Sequence, residues 1–188
     1  MKFLQGPVDE AAKRLLGSLI HGNGVTIRLT ETEAYAGLGE DEASHAHRGV
    51  TKRNGIMFGP PGFLYVYFTY GMHWCANVVC GPEGSASAVL LRAGEVVDGL
   101  DLARSRRAGH KDRDLARGPA RLAQALGLDA AANGANLLDA HSPVRLSLEP
   151  ASTAVLSGPR IGIRKEVARP WRFWLAGEPT VSATRTAR

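Results

Sequence analysis

With 188 residues the chain is long enough for one domain with a hydrophobic core and short for two. Its hydrophobic content of 44% is ordinary for a globular protein, and its apolar runs are too short and interrupted to cross a bilayer. The 23 lysines and arginines outnumber the 18 acids, giving a formal charge of +5 and an isoelectric point near 9.6, which suits polyanionic partners without demanding one.

The opening MKFLQGPVDE lacks an apolar signal core and a small-residue cleavage site, so a cytoplasmic location is expected. Residues 8–20 read as an amphipathic helix: Pro7 and Asp9 suit its start, and Ala12, Leu15, Leu16 and Leu19 recur at helical spacing. Gly22 to Gly24 mark a turn, and Val25 to Ala34 alternates as a strand, with Val25, Ile27 and Leu29 on its apolar side. Glu31 and Glu33 continue that parity, which sends two carboxylates towards the core. Residues 36–56 form a long polar loop, a length that usually signals function or disorder. After FGPPG, Phe63 to Thr69 and His73 to Cys80 read as the two strands of a hairpin turning at Tyr70-Gly71. Residues 85–92 form another apolar strand ending in Arg92, and 95–106 are expected to be helical. Gly118-Pro119 opens a short helix through Leu126. Residues 144–148, 160–163 and 171–176 are short strand candidates, and a polar tail closes the chain. Neither repeats nor linkers appear, so the reading is one mixed domain, residues 1–188, in which strands outnumber helices.

Several residues stand out chemically. An inward carboxylate such as Glu33 pays desolvation unless it has partners or a task; an exposed strand end would also explain it. Tyr35, Tyr65, Tyr67, Tyr70 and Trp74 cluster although aromatics make up only 6% of the chain. Aromatic faces can hold a base removed from its stack, and they also simply build cores, which is the better reading for Tyr65. Tyr70 has little to pack against at a hairpin tip and would find a partner as a wedge between base pairs. Arg92, ending an apolar strand, calls for a phosphate or a carboxylate, and an ion pair with Glu33 would serve. Asn77 suits base discrimination or a satisfied core position equally. His45 and His47 lie in DEASHAH, but no complementary ligand cluster follows, so no metal is expected. Cys75 and Cys80, an odd number of residues apart, fall on opposite strand faces and are read as unpaired buried thiols. The arginines of 104–117 and 160–172 are candidates for backbone contacts with a polyanion.

In order, LTETEAYAGLGEDEASH, RNGIMFGPPGFLYVYFTYGMHWCANVV, AVLLRA, ARGPARLAQALG and RPWRFWLAGEPTVS closely resemble the alkyladenine (3-methyladenine) DNA glycosylase family, from about residue 8 to 182. The resemblance implies an α+β domain with a central, mostly antiparallel curved sheet, flanking helices and a protruding β-hairpin. It implies base-excision repair, in which the N-glycosidic bond of an alkylated or deaminated purine is hydrolysed after base flipping. Glu33 then matches the carboxylate that activates water, and Arg92 the arginine that fixes the water and the flipped nucleotide's phosphate. Tyr35 and Tyr67 resemble the two aromatic walls, His45 the pocket histidine, and Asn77 the asparagine that crowds out normal guanine. Tyr70 matches the intercalating residue, while Met72 and His73 lie where the hairpin meets DNA; His73 stands where some members carry tyrosine. The loop AGLGEDEAS is one residue longer than the family pattern, with the extra residue expected at Gly37 to Gly39.

On this reading the partner is double-stranded DNA containing damaged purines, with no cofactor and no membrane, and a monomer suits DNA scanning. No lysine falls among the matched pocket residues, which favours simple hydrolysis over a Schiff-base route. The rival classes are a non-catalytic binder of distorted DNA and a small-molecule transferase on a β-rich scaffold.

Overall fold

A computed structural model describes residues 2–183, so most of the expected polar tail at 183–188 lies outside the described residues. The chain runs α1 (Val8–Leu15), β1 (Leu19–Gly22), β2 (Val25–Tyr35), β3 (Leu64–Thr69), β4 (His73–Cys80), β5 (Ser87–Asp98), α2 (Leu100–Arg106), α3 (Pro119–Leu126), β6 (Val144–Ser147), β7 (Val155–Gly158) and β8 (Arg172–Leu175). All strand pairings are antiparallel, in the order β3-β4-β5-β2-β1-β6, and the sheet curls into a half-barrel. The long β2 is shared on its second edge: its first half pairs with β1, and its second half with β8, which carries β7. The expected α+β architecture with its hairpin is the observed one. Among the described residues no helix is long and apolar enough to cross a membrane.

Helix α1 lays Ala11, Ala12 and Leu15 on β2, and α3 packs Leu122, Ala123 and Leu126 against β4 and β5. Each fully buried leucine contributes about 1.5–3 kcal/mol through removal from water. The helix read over 8–20 ends at Leu15, and Leu19 and Ile20 belong to β1 instead. Gly17 causes the break. Its φ of +87° is left-handed, a Cβ there would sit 2.6 Å from the Pro150 carbonyl oxygen, and its N–H donates to Leu29 O, handing the chain to the sheet.

Two other expectations change. The segment 95–106 begins as strand: β5 runs on to Asp98 because Glu95 pairs in register with Arg28 and binds its guanidinium at 2.8 Å, and α2 starts only after the left-handed Gly99. Residues 160–163 form no strand; the pairing there falls to β7 just before them. Cys75 and Cys80 are free and on opposite faces, the first against the cavity described below and the second in the core.

The parity of β2 also needs correction. Leu29 pairs with Gly94 and Glu31 with Ala93, so Thr30 is an extra residue, a β-bulge; Arg92 is the extra residue of β5 opposite. Beyond the bulge the faces exchange. Ala34 joins Val25, Ile27 and Leu29 in the core, and Thr32 donates its hydroxyl to Ala12 O of α1. Glu31, Glu33 and Tyr35 are thereby turned to the opposite face of the sheet.

Candidate active site

Register builds this face. Across the sheet Tyr65 stands opposite Asn77, Asn77 opposite Leu90, Leu90 opposite Glu33, and Glu33 opposite Arg172. Cross-strand partners share a face, so five strands contribute one row, and two-residue alternation adds Tyr67 beside Cys75 and Tyr35 beside Ala88. The row floors a cavity of about 350 Å³, within the range of small-molecule sites. Tyr35, His45, Tyr67, Tyr70, Asn77 and Arg92 all line it. Met72 and His73 lie outside it, exposed on the hairpin.

Glu33 is fully buried just behind this lining. Its Oε1 accepts the Ile161 N–H at 2.8 Å and lies 3.5 Å from Arg92 Nη1, while its Oε2 accepts the Tyr35 hydroxyl at 2.9 Å. Tyr35, Arg92 and Ile161 themselves line the cavity, so the carboxylate lies one layer behind it. Burial raises the Glu33 pKa above its ordinary 4.5, against the opposing pull of Arg92, the Ile161 amide and the Tyr35 hydroxyl. The Tyr35 phenol is pushed well above its ordinary range by burial and by the neighbouring carboxylate, so it stays a donor.

Arg92 has carboxylate partners, one of the two kinds the sequence called for. Its Nε donates to Glu31 at 3.0 Å and to the Ser182 hydroxyl at 3.2 Å, leaving an Nη towards Glu33. Glu31, also fully buried, gathers Arg172 Nε at 2.5 Å and the Ser182 backbone and hydroxyl at 2.7 and 2.9 Å. Two carboxylates and two guanidiniums thus balance beneath the floor.

His45 meets Tyr67 edge-on at 4.6 Å between ring centroids, and its Nδ1 lies 3.2 Å from the Tyr65 hydroxyl. Tyr65 is therefore both core, at 1% exposure, and a positioning group for the histidine. Desolvation in the pocket, aided by nearby Arg53, lowers the His45 pKa, which keeps the imidazole neutral near pH 7. His47 lines the neighbouring cleft rather than this cavity. Asn77 is buried and donates its amide to Tyr65 O at 3.1 Å, so its side chain is held rigidly at the pocket wall. Gly37 seats the loop that carries His45, since a Cβ there would lie 1.6 Å from Ser85 O. Gly39, with a left-handed φ of +74°, turns in open space where the longer loop was expected to absorb its extra residue.

At the hairpin tip, Met72 N–H donates to Thr69 O, and Tyr70 and Gly71 have φ of +52° and +67°, the signature of a type I′ turn. Left-handed backbone costs a non-glycine residue about 1–2 kcal/mol. Tyr70 accepts that strain while leaving its ring 83% exposed at the cavity edge, with Met72 exposed beside it.

Many arginines of the basic segments also have partners within the fold. Arg104 pairs with Asp101 and Asp112, Arg106 and Arg107 bind backbone and Gln124, and Arg117 binds Val181 O and Asp114. Arg160 and Arg172 are buried among acids. Arg107, Arg160 and Arg172 are thereby taken into the fold, whereas Arg104, Lys111, Arg113, Arg121 and Arg164 remain on the surface. Sequence reasoning gave no role to Asp41, Ile161 or Ser182, and it offered Arg160 to a polyanion, whereas its side chain is buried against Asp41. Asp41 is one of three acids in EDE with nothing local to set it apart, and Ile161 acts through its backbone, which no side-chain pattern reports. Among the described residues no three His, Cys, Asp or Glu side chains converge as a metal site.

The family model for methylpurine-DNA glycosylase matches residues 2–179. The chain belongs to that family. Methylpurine-DNA glycosylases are DNA-repair hydrolases of N-glycosyl bonds, so DNA is the partner. A Nocardia farcinica protein named "Putative 3-methyladenine DNA glycosylase" is 54% identical over 182 residues, covering 93% of this chain and 86% of the relative. Proteins of the same name from Frankia casuarinae (50% identical; 99% and 92% covered) and Mycobacterium tuberculosis (52%; 93% and 88%) are similar along the same length.

Proposed function

We propose that this glycosylase excises 3-methyladenine and related damaged purines from duplex DNA by one-step hydrolysis, with Glu33 as general base. The observation that carries the reading is a fully buried carboxylate directly behind an aromatic cavity whose rim holds an exposed, backbone-strained tyrosine. Tyr70 enters the duplex as the nucleotide leaves it, filling the gap, with Met72 and His73 alongside on the strand backbone. The flipped base stacks between Tyr35 and Tyr67, His45 reads its edge, and Asn77 crowds the exocyclic amino group of normal guanine. Stacking returns roughly 1–3 kcal/mol per base against an unstacking cost of a few kcal/mol, so weakened and mispaired bases are favoured.

Glu33 takes a proton from water as the water oxygen bonds to the sugar C1′ and the C1′–N bond breaks. The bonding electron pair leaves with the base. A cationic base such as 3-methyladenine becomes neutral on departure and needs no acid, and the carboxylate charge also favours the oxocarbenium-like transition state. Arg92, fixed by Glu31, holds the water and the nucleotide's phosphate. No lysine lines the cavity, which supports hydrolysis over an imine intermediate. A protein that works alone while scanning DNA is the simplest assembly for this task.

Duplexes carrying single 3-methyladenine, 7-methylguanine, hypoxanthine or ethenoadenine lesions test the proposal. Free base and abasic sites are the expected result, with 3-methyladenine among the substrates; tight binding without release would leave only a damage-recognition module. Because ionised Glu33 is the active form and its pKa is raised, single-turnover excision should fall as pH drops, with an apparent pKa above 4.5. A flat rate down to pH 4.5 would exclude Glu33 as the base.

Tyr70→Ala should reduce capture of the flipped base by roughly 5- to 100-fold, the equivalent of about 1–3 kcal/mol of stacking. Alanine keeps the same left-handed backbone, so stability should stay within about 0.5 kcal/mol. Equal losses on lesion-bearing and undamaged duplexes, read by fluorescence anisotropy, would argue against a wedge.

A further inference from the structure

Two loops from distant parts of the chain complete the pocket: residues 36–49, which carry His45, and residues 159–170, which carry Ile161. They meet at a fully buried ion pair. Arg160 Nη1 and Nη2 donate to the two carboxylate oxygens of Asp41 at 2.6 and 2.9 Å, and both side chains have no exposed surface. Asp41 simultaneously accepts the N–H groups of Ala36 at 3.2 Å and Ala43 at 3.1 Å, which fixes the turn leading to Ser44 and His45. From the same guanidinium, Nη1 donates to Ala34 O at 2.8 Å. Its Cζ lies 4.6 Å from the centroid of the Tyr35 ring and 5.6 Å from that of Trp171. The next residue is Ile161, whose N–H binds Glu33.

We propose that Asp41 and Arg160 are positioning residues: their ion pair latches the two loops together, holding the Ile161 amide on the Glu33 carboxylate and bracing the Tyr35 wall. The inference rests on the reading of Glu33 as the base. Two features separate the latch from an ordinary structural ion pair. Arg160 Nε is buried with no hydrogen-bond partner, a cost that folds tolerate mainly where placement matters more than satisfaction. Lys165 and Glu42 join the same two loops at the surface, but so exposed a pair contributes little, which leaves the buried pair as the link. Arg160 does not itself line the cavity; it acts through Tyr35 and Ile161, which do.

Asp41→Asn and the double variant Asp41→Asn/Arg160→Gln test this. The single variant leaves a buried guanidinium without its counter-charge and is the one at risk of unfolding; the double variant removes both charges and so preserves a folded protein for assay. Three measurements are made on each folded variant: hydrogen exchange of the Ile161 amide, the pH profile of single-turnover 3-methyladenine excision, and lesion-duplex affinity. Glu33 faces Glu31 and Tyr35 on β2, Arg92 on β5, Arg172 on β8, the Ile161 amide from the loop and, behind Tyr35, the charge of Arg160 itself, so Asp41→Asn disturbs the amide and the double variant also removes the Arg160 charge.

The expected result has three parts. The Ile161 amide exchanges at least about tenfold faster. Excision slows by about 100-fold, the usual consequence of an ångström-scale displacement, while affinity changes by less than about tenfold. The acidic limb moves to higher pH, because Glu33 has lost a donor that stabilises its anion. An Ile161 amide as protected as in the unmodified protein, with an unmoved acidic limb, would overturn the latch. Exchange is read without activity, so a protein that releases no purine would defeat the glycosylase reading while the latch stood or fell separately.

Discussion

Replacing Glu33 with glutamine leaves the protein folded, still able to bind lesion-bearing duplexes, and slower in base release by roughly 10²–10⁴-fold, the range general-base catalysis supplies. Glutamine is close in size to glutamate. Its carbonyl oxygen can still accept the Ile161 N–H, and its amide can donate to the Tyr35 oxygen in a reversed hydrogen bond. What it cannot do is take a proton from water or oppose the positive charge developing at C1′. The pocket walls, hairpin and Arg92 are untouched, so binding persists. Single-turnover excision and equilibrium binding on the same 3-methyladenine duplex make the comparison. A variant that excises at more than about a tenth of the normal rate would assign the water to another group, and a parallel collapse of binding would mean Glu33 holds the pocket's shape. The residual rate should also lose its acidic limb.

Glu31→Ala should cost about 3–5 kcal/mol of stability, far more than any exposed substitution in the chain. Glu31, itself fully buried, accepts from Arg92, from Arg172 and twice from Ser182. Alanine strands two guanidiniums and frees the segment around Ser182. For a domain of this size that corresponds to a fall in melting temperature of about 10 °C. Glu31→Gln should be milder in stability, because it retains an acceptor oxygen, yet it should slow excision by loosening Arg92. Thermal and urea unfolding of the two variants, beside their excision rates, separate the effects. A loss below about 1 kcal/mol for the alanine variant would show that water replaces the missing acceptor.

Glu31 and Glu33 also show how far a sequence can be read. Strand alternation singled out both as carboxylates of one parity, and that parity holds among Glu31, Glu33 and Tyr35. Its direction was wrong. Extending the period from Val25, Ile27 and Leu29 sends the acids into the core, whereas the bulge at Thr30 exchanges the faces and turns them towards the cavity. Inserting one residue into a ladder leaves no mark in hydropathy, since Thr30 and Thr32 are equally at home on either face. The helix α1 reading runs too far for a related reason: Leu19 repeats at helical spacing, whereas Leu16 turns extended and the left-handed Gly17 gives its N–H to Leu29 O of β2, ending the helix at Leu15.

The amino-acid sequence by itself determined the mixed β-rich class, the hairpin between Phe63 and Cys80, the short helix opened by Gly118-Pro119 and, through its ordered motifs, the family. Those features depend on neighbours a few residues apart, where alternation, turn chemistry and helix starts operate. It also named Tyr35, His45, Tyr67, Tyr70, Asn77 and Arg92, which the fold does bring around one cavity. Only the tertiary structure decided what holds them there. Asp41 meets Arg160 across 119 positions, Ile161 reaches Glu33 across 128, and Ser182 reaches Glu31 across 151. Contacts of that span are made by strand register and loop closure around a common core. An isolated acid or arginine is the same letter in the sequence whether it ends in solvent or sealed beneath the pocket floor.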